Sequence, residues 1–220
     1  MLRSNGVGII LVFDGESFPP KAATNAKRNT PRLKNLEEGL ALYHSGNERE
    51  ALKKFQKAIR VTHYMMARVI RAIRELGDPD VKFLVAPYEA DSQCTFLVLN
   101  DIAQVVITAD SDLLVFGCPT VFYKMDANGH GQEITLDRVL MLRHQTHLQI
   151  TGWTLTQFRE MCVLSGCDYL KSLKGIGLMK AHKMIRENET GETALLDMVR
   201  NGTCLEEYVG QPRVCPINTY

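Results

Sequence analysis

The sequence predicts an α/β protein, with a parallel sheet in the first part of the chain and a helical region after it. Apolar runs at residues 7–13, 83–86 and 104–108 have the length of buried strands, and stretches with helical spacing separate them. Strands separated by helices pair in parallel, because the helix carries the chain back across the sheet. Later in the chain the apolar spacing is only helical. We therefore expect a sheet-containing domain over residues 1–150 and a helical region over residues 151–220.

The first third of the chain is predicted to hold one strand followed by helical segments. Residues 7–13 form a continuous apolar run, which is the pattern of a strand buried on both faces. The basic segment at residues 21–43 is weakly periodic, and Pro31 is expected to interrupt any helix there, because proline lacks the N–H that a helix needs. Residues 48–76 carry apolar side chains at helical spacing and predict one long amphipathic helix, which Gly77 ends.

The rest of the chain is predicted to contain three more strands among shorter helices. The strands are at residues 83–86, 104–108 and 121–125, and a hairpin-type turn at residues 128–131 leads into a short extended segment. The helices are predicted at residues 89–99, 136–143, 154–164, from a tight loop at 174–177 through Ile185, and at 193–199.

Charge is segregated along the chain although the total is balanced. The 220 residues hold 26 Lys and Arg against 25 Asp and Glu, which argues against a histone-like or disordered basic protein. Five basic residues lie in 21–34, seven in 53–74 and five in 171–186, whereas 78–112 has seven acids and one lysine. Basic stretches around an acidic centre predict a polyanionic partner and a metal site. Any one stretch taken alone is better explained as a solvated helix face.

Neither a membrane span nor a disulfide framework is predicted. No apolar run reaches the roughly 18 residues that a transmembrane helix needs. The six cysteines include no Cys-x-x-Cys pair, and several lie in apolar runs, so we expect reduced thiols in an intracellular protein.

Five carboxylates follow the ends of three predicted strands. Asp14 ends the first run, Glu89 and Asp91 come shortly after the second, and Asp110 and Asp112 come directly after the third. The carboxyl ends of parallel strands meet at one edge of a sheet, where ligand sites form. We therefore expect these side chains to gather in one region.

Such a cluster of acids needs cations, and Asp168 is a sixth candidate member. Two carboxylates about 4 Å apart repel by about 4 kcal/mol at an effective dielectric of about 20. Oxygen ligands select hard ions such as Mg²⁺ or Mn²⁺, and two such ions activate water and stabilise the leaving oxygen in phosphodiester hydrolysis. The alternative is that the acids cap helices and form turns, which better explains Asp110 and Asp112 taken by themselves.

A loop with two glycines precedes a lysine-rich helix near the carboxyl end. Gly175 and Gly177 are followed by Lys180 and Lys183. Glycines let backbone N–H groups approach a phosphate, and the start of a helix adds favourable polarity. Two glycines in this spacing are also common in tight turns. Because the flanking charges are all basic, we favour binding to the backbone of a nucleic acid.

Five stretches, in this order, resemble the Rad2/XPG family of structure-specific 5′ nucleases. They read VFDG at 12–15, VAPYEAD at 85–91, TADSDLL at 108–114, LSGCDYL at 164–170 and LKGIG at 173–177. The resemblance covers the chain from residue 1 to about residue 185, and the joint set of motifs is highly specific. It implies a PIN-like α/β nuclease core with a parallel sheet, followed by a helix-two-turn-helix region that binds DNA.

The resemblance also implies roles for individual residues. The acids that match the family's metal site are Asp14, Glu89, Asp91, Asp110, Asp112 and Asp168. The basic residues that match a helical arch over the active site are Lys21 and Arg28, as catalytic residues that neutralise and orient the phosphate, and Arg32, as a DNA contact. The residues that match phosphate contacts of the helix-two-turn-helix region are Gly175, Gly177 and Lys180. Those that match its monovalent-cation site are Ser165, Ser172 and Ile176.

The implied activity is Mg²⁺-dependent hydrolysis of DNA phosphodiester bonds, as a 5′-to-3′ exonuclease and flap endonuclease of DNA repair in the nucleus. The implied cofactors are two Mg²⁺ ions, for which Mn²⁺ substitutes, and K⁺ in the helix-two-turn-helix region. The implied partner is duplex DNA with a 5′ end, nick, gap or flap. Mismatch-repair or replication proteins would dock on a tail that we expect this chain to lack.

Three departures from the family pattern qualify these expectations. Ala109 stands where the family usually has Glu, and Pro31 falls within the arch. The chain begins at what is an internal Met in the family, so the first strand, with one further metal-site Asp, is expected to be missing. We therefore expect a fragment, an alternative start or an incomplete gene model, poorly active in isolation. Two alternatives stay open, namely a flap endonuclease of replication and a non-catalytic protein that binds DNA junctions.

Overall fold

A computed structural model describes two compact units of this chain. We name them the N-unit, Gly8–Tyr88, and the C-unit, Met1–Val7 together with Glu89–Tyr220. The residues that the structure describes are 1–142, 148–169, 173–188 and 190–191. Within these ranges no helix combines the length and the apolarity that crossing a membrane requires.

Two parallel strands form the sheet of the N-unit. β1 (Ile9–Phe13) and β2 (Val81–Val85) pair so that Ile9 lies opposite Val81 and Phe13 opposite Val85. This pairing confirms the two predicted strands and their direction. Because the strands are parallel and in this register, the residues that follow them leave the sheet at the same edge.

The basic segment of the N-unit is one continuous helix, so the expectation that Pro31 interrupts it is wrong. α1 spans Ala22–His44 with Pro31 inside it. The proline is exposed and deprives the helix of one hydrogen bond. Local side-chain bonds flank the gap, because Asn35 donates to the Pro31 carbonyl at 2.7 Å and Thr30 donates to the Ala26 carbonyl at 3.3 Å.

The segment predicted as one long helix is two helices, so that prediction is also wrong. α2 spans Glu48–Ala58 and α3 spans His63–Leu76. Between them Ile59 has extended backbone, with φ −60° and ψ 134°. The Thr62 side chain accepts a hydrogen bond from the Met65 N–H at 3.2 Å and so caps α3. β-branched residues lose rotamer freedom in helices, and a threonine hydroxyl competes for helical N–H groups, which explains the break here.

α1 and α2 pack against each other as a helical hairpin. Gly39 is buried in α1, and a Cβ on it would lie 2.7 Å from a ring atom of Phe55. The Lys54 ammonium pairs with the Glu38 carboxylate, and this contact lowers the pKa of that carboxyl. The close approach at Gly39 thus sets the spacing of the two helices.

The C-unit contains a mixed three-stranded sheet. β3 (Val106–Thr108) runs parallel to β4 (Thr120–Tyr123), and β5 (Gln132–Thr135) runs antiparallel to β4. Between β4 and β5 the Asp126 carboxylate accepts a hydrogen bond from the His130 N–H at 2.9 Å, which closes the predicted hairpin turn. The α/β prediction is confirmed, with a parallel pair in each unit. The division of the described strands between two sheets was not predicted.

Two apolar clusters form the core of the C-unit. One joins α4 (Ala90–Leu99) and α5 (Asp112–Phe116) to the sheet, and its buried residues are Val98, Val106, Leu113, Cys118 and Val121. The helices of the other are α6 (Leu136–Leu140), α7 (Leu155–Ser165) and α8 (Leu178–Asn188), and its larger buried residues include Leu136, Phe158, Met161, Ile176 and Ile185.

Among the described helices of the C-unit, α4, α6, α7 and α8 follow the prediction except at their ends, whereas α5 was not predicted. α7 begins with a capping box in which Thr154 and Gln157 exchange hydrogen bonds, as its predicted start at residue 154 suggests. α6 is shorter than predicted. The predicted helix at 193–199 lies outside the described residues. The second apolar cluster spans both sides of residue 150, and the domain boundary there stays a prediction.

Gly15 provides a test of how the ends of β1 and β2 fit together. Its N–H donates to the Tyr88 carbonyl at 2.6 Å, and a Cβ on it would lie 1.9 Å from the Ala86 carbonyl oxygen. We expect Gly15→Ala to lower the free energy of unfolding by roughly 1–3 kcal/mol, because backbone has to move. Gly8→Ala is the matched control at the other end of β1, where the nearest atom is 3.9 Å away. Equal melting temperatures for the two variants would contradict this account.

Candidate metal and nucleic-acid site

Asp14 lies in an open cleft of the N-unit. The Glu16 N–H donates to the Pro87 carbonyl at 3.0 Å, so the residues after β1 run alongside those after β2. The cleft has a volume of about 530 Å³, and its lining residues are Asp14, Gly15, Glu16, Ser17, His63, Met66, Val85, Ala86 and Pro87. The Asp14 side chain is exposed there. The structure thus places one predicted ligand at the end of a strand and beside the start of α3.

Glu89 and Asp91 lie at the start of α4. Glu89 is the residue that precedes the helix, and Asp91 is in its first turn. Both side chains are half-buried. Negative charge is stabilised at a helix N-terminus by the helix dipole, so each acid also has a local structural explanation.

Asp110 and Asp112 lie at the start of α5, directly after β3. The Asp110 carboxylate accepts a hydrogen bond from the Asp112 N–H at 3.0 Å, and the Asp110 N–H donates to the Thr108 hydroxyl at 3.0 Å. Both acidic side chains are exposed. One oxygen of Asp110 therefore forms a turn before α5, as the turn-forming alternative for this pair predicts, whereas the residue that precedes the helix is Ser111.

Tyr169 connects the acids of the C-unit. Its hydroxyl donates a hydrogen bond to the Glu89 carboxylate at 2.5 Å. The pKa of the phenol is raised by burial first, then by the bond to Glu89, and also by the negative charges of Asp112 and Asp91. Carboxylates from the starts of α4 and α5 therefore act electrostatically on one half-buried phenol, and one of them, Glu89, contacts it.

The sequence analysis did not single out Tyr169. Its signal was its place next to Asp168, within one of the stretches that carry the family resemblance. Asp168 itself is half-buried.

The donor chemistry of these acids fits a hard divalent cation, because every candidate ligand atom is an oxygen. In the part of the chain that the structure describes, however, no three His, Cys, Asp or Glu side chains lie close enough together to hold one metal ion. Glu89, Asp91 and Asp112 all influence the pKa of Tyr169 within the C-unit, whereas Asp14 belongs to the N-unit. The assignment of the six acids as metal ligands stays a prediction.

The predicted arch residues share one face of a helix in the N-unit. Lys21 immediately precedes α1, and Arg28 and Arg32 follow at helical spacing, so the three side chains project from the same side. Lys21 and Arg32 are half-buried and Arg28 is exposed. A helix face with several basic side chains is suited to neutralising the charge of a phosphate.

The glycine loop of the C-unit leads directly into α8. Gly175 has a φ of +78°, in the left-handed region that favours glycine. The Lys180 ammonium lies 3.9 Å from the point that a Cβ on Gly175 would occupy, so the lysine reaches back over the loop. Gly177 has open space around its Cα, which leaves its backbone accessible.

The predicted cation-site residues are described only in part. Ile176 is buried, and the Ser165 hydroxyl donates to the Cys162 carbonyl at 2.8 Å. Ser172 lies outside the described residues.

His182 fixes α8 in place, and the sequence analysis missed it. The ring is buried, and its Nε2 lies 2.8 Å from the Gln149 carbonyl oxygen. It stacks on Trp153, the single tryptophan of the chain, with 5.0 Å between ring centroids. Since a carbonyl oxygen only accepts, Nε2 carries the hydrogen. These contacts hold the helix that carries Lys180.

Comparison with known proteins identifies the family. Residues 80–168 match the model of the XPG I-region. Exonuclease 1 of Danio rerio is 47% identical to this chain over 186 residues, and exonuclease 1 of Xenopus laevis is 46% identical over 186 residues; each alignment covers 84% of the chain. The chain belongs to the Rad2/XPG family. It spans only 22% and 24% of the length of those two relatives.

Solved structures of Rad2/XPG proteins share the fold. The catalytic core of Rad2 in complex with a DNA substrate has a TM-score of 0.64 at 21% identity, covering 96% of this chain and 57% of that one. Flap endonuclease-1 from Methanococcus jannaschii has a TM-score of 0.57 at 21% identity, covering 90% of this chain and 59% of that one. These likenesses confirm the PIN-like α/β fold class.

The pKa of Cys162, in α7, depends in part on the charge of Asp112. Burial, and secondarily the negative charge of Asp112, raises the pKa of the Cys162 thiol to about 11. We expect Asp112→Asn to lower this pKa and to speed alkylation of Cys162 by iodoacetamide between about pH 8 and 10, because the thiolate is the nucleophile. Peptide mapping by mass spectrometry measures the rate. Asp110→Asn is the matched control and leaves the rate unchanged.

The same shift predicts a loss of stability at alkaline pH. The folded-state pKa of Cys162 lies above 9.0, the ordinary pKa of a thiol, so the unfolded chain releases this proton first. The contribution of Cys162 to stability is complete below about pH 9 and is lost as the pH rises to about 11. Cys162→Ala is expected to flatten the fall of melting temperature over this interval; an unchanged pH profile would contradict the assignment.

Proposed function

We propose that this chain is a metal-dependent nuclease that hydrolyses DNA phosphodiester bonds from 5′ ends and at flaps, as part of DNA repair. The observation that carries the proposal is the hydrogen bond from Tyr169 to Glu89, with the charges of Asp91 and Asp112 acting on the same phenol, in a chain of the Rad2/XPG family. Acidic side chains that approach one another are stabilised by a divalent cation, whose preferred ligands are oxygens.

Dependence on divalent metal ions is a property of the family. We infer that the ions here are two Mg²⁺, for which Mn²⁺ substitutes, and that their ligands are Asp14, Glu89, Asp91, Asp110, Asp112 and Asp168. When bound, such ions lower the pKa of water and stabilise the charge of the phosphoryl transition state.

The protein's own side chains would orient the substrate and the ligands. Tyr169 donates to Glu89 and so fixes the direction of that carboxylate, which makes Tyr169 a positioning residue. Lys21 and Arg28 are proposed to neutralise the scissile phosphate, and Arg32 to contact the neighbouring DNA backbone. Their shared helix face supports this assignment.

The helix-two-turn-helix region is proposed to bind the DNA duplex at a distance from the scissile phosphodiester bond. Phosphates would be contacted by the backbone N–H groups at Gly175 and Gly177 and by the ammonium of Lys180. This role would account for the position of the Lys180 ammonium over the glycine loop. Ser165, Ser172 and Ile176 are proposed to hold K⁺.

The proposed substrate is duplex DNA with a 5′ end, nick, gap or flap, and the proposed location is the nucleus. Mismatch-repair or replication proteins are proposed as partners of the whole protein. A flap endonuclease of replication is the alternative within the family. Cleavage of a recessed-end duplex compared with that of a 5′-flap duplex separates the two activities.

Asp110 allows the catalytic and capping interpretations to be separated. Asparagine keeps the oxygen that accepts from the Asp112 N–H but removes the charge. We expect Asp110→Asn to leave the melting temperature unchanged and to reduce Mg²⁺-dependent cleavage of a 5′-labelled duplex by about 100-fold or more, because loss of a partner outside the ligand shell already costs about 10- to 100-fold. If the variant cleaves at the parent rate, Asp110 is only a cap.

A second candidate is a non-catalytic protein that binds DNA junctions. It is favoured by the absence, among the described residues, of three ligands close enough to share a metal ion. Binding of a flap duplex in EDTA, with no cleavage by the parent chain in Mg²⁺ or Mn²⁺, would establish this candidate and exclude the nuclease.

Lys180 tests the proposed grip on the duplex. We expect Lys180→Gln to weaken binding equally for duplexes of different sequence and to reduce the slope of log K against log salt by about 0.9, the value for one phosphate contact. Arg138→Gln, an exposed charge on α6, is the matched control for net charge. Identical slopes for the two variants would mean that the loop is a simple turn. Fluorescence anisotropy in EDTA makes the measurement without cleavage.

A further inference from the structure

One face of α3 is not used by the site described above. Tyr64, Arg68 and Arg71 lie at i, i+4 and i+7 of this helix, so their side chains share a face. We name these three residues the α3 face. The opposite side carries the half-buried Met66 and Ile70, which turn toward the N-unit. The α3 face therefore points to solvent.

Tyr64 is unusually open to solvent for an aromatic residue. Its exposed fraction is 72%, the largest of any large hydrophobic side chain in the ranges that the structure describes. A ring left in water forgoes the stabilisation that burial of apolar area gives, about 25 cal/mol per Å². A partner that stacks on the ring recovers this energy.

The two arginines of the α3 face have no acidic partner within the described residues. Arg74, by contrast, lies over the Phe83 ring at 5.2 Å and is engaged inside the N-unit. Residues 53–74 contain seven basic side chains and no acid. Glu75 follows on the same side at the far end of the face, and it forms no ion pair with Arg71 in the described structure. The face is thus complementary to a polyanion.

We propose that the α3 face binds single-stranded DNA, with the Tyr64 ring stacked on one base and Arg68 and Arg71 paired with phosphates. The proposal deepens the proposed nuclease function, on which it rests, because it assigns a binding surface for the unpaired arm of a flap or an end. α3 begins at the cleft that holds Asp14, since His63 and Met66 of its first turn line that cleft.

The geometry favours a single strand over a duplex. Seven residues of helix separate Tyr64 from Arg71, a rise of about 10 Å, which matches about three nucleotides of a stacked strand. Bases in a duplex are stacked on each other and hide their faces, whereas bases of a single strand stack readily on aromatic side chains. An exposed ring next to two guanidinium groups is therefore better suited to binding an unpaired strand than a duplex.

Binding of a labelled single-stranded oligonucleotide and of a blunt duplex of equal length, both by anisotropy in EDTA, tests the proposal. We expect Tyr64→Ala to weaken single-strand binding by roughly 5- to 150-fold, the range for loss of one base–aromatic stack. Tyr64→Phe retains the ring and is expected to retain affinity. Duplex binding changes less than twofold in either variant.

The arginines are tested by the salt dependence of the same binding. Arg68→Gln with Arg71→Gln is expected to reduce the single-strand slope by about 1.4, which is about 0.7 for each phosphate contact. Arg49→Gln with Arg138→Gln removes the same charge from exposed positions elsewhere and is expected to leave the slope unchanged.

Three results would overturn the proposal. They are unchanged single-strand affinity in Tyr64→Ala, equal losses for single strand and duplex, or equal slopes for the two double variants. Because the binding is measured in EDTA, failure of the nuclease proposal is a separate result, seen as no cleavage by the parent chain in Mg²⁺.

Discussion

The fold of the C-unit brings the negative charges of Glu89, Asp91 and Asp112 to bear on one half-buried phenol, that of Tyr169. Two carboxylates about 4 Å apart repel by about 4 kcal/mol at an effective dielectric of about 20. The dipole of a helix stabilises an acidic side chain in its first turn by about 0.3–1 kcal/mol. Tyr169 donates one hydrogen bond to Glu89. A cation bound at this site, as proposed above, would reduce the repulsion between these acids.

Capping a helix and binding a metal are compatible roles for the same carboxylate. Asp110 accepts from the Asp112 N–H with one oxygen, and a carboxylate has two oxygens with several acceptor positions. The turn fixes the direction of the side chain before any ligand arrives. The same reasoning applies to Glu89, which precedes a helix and is held by the Tyr169 hydroxyl. Local structure thus orients the candidate ligands at little additional cost.

The proposed binding of DNA depends on how the charge of this chain is distributed, because the net charge is only +1. In the N-unit, the face of α1 with Lys21, Arg28 and Arg32 and the α3 face are separate basic surfaces on different helices. In the C-unit, His182 and Trp153 hold α8, which presents Lys180 beside the glycine loop. Contacts of this kind position a nucleic acid without reading its sequence and weaken with salt.

The sequence by itself determined the α/β class, the two strands predicted at 7–13 and 83–86, the hairpin before β5 and the start of α7. These features depend on local apolar spacing and turn chemistry. It also marked the acids at strand ends and helix starts. Only the tertiary structure decided that α1 continues through Pro31 and that the strands divide between two sheets. The roles of Tyr169 and His182 could not be predicted from the sequence either, because their partners, Glu89 and Gln149, lie 80 and 33 residues away in the chain. Contacts over such distances in the chain leave no periodic pattern, and they arise only when separate elements pack together.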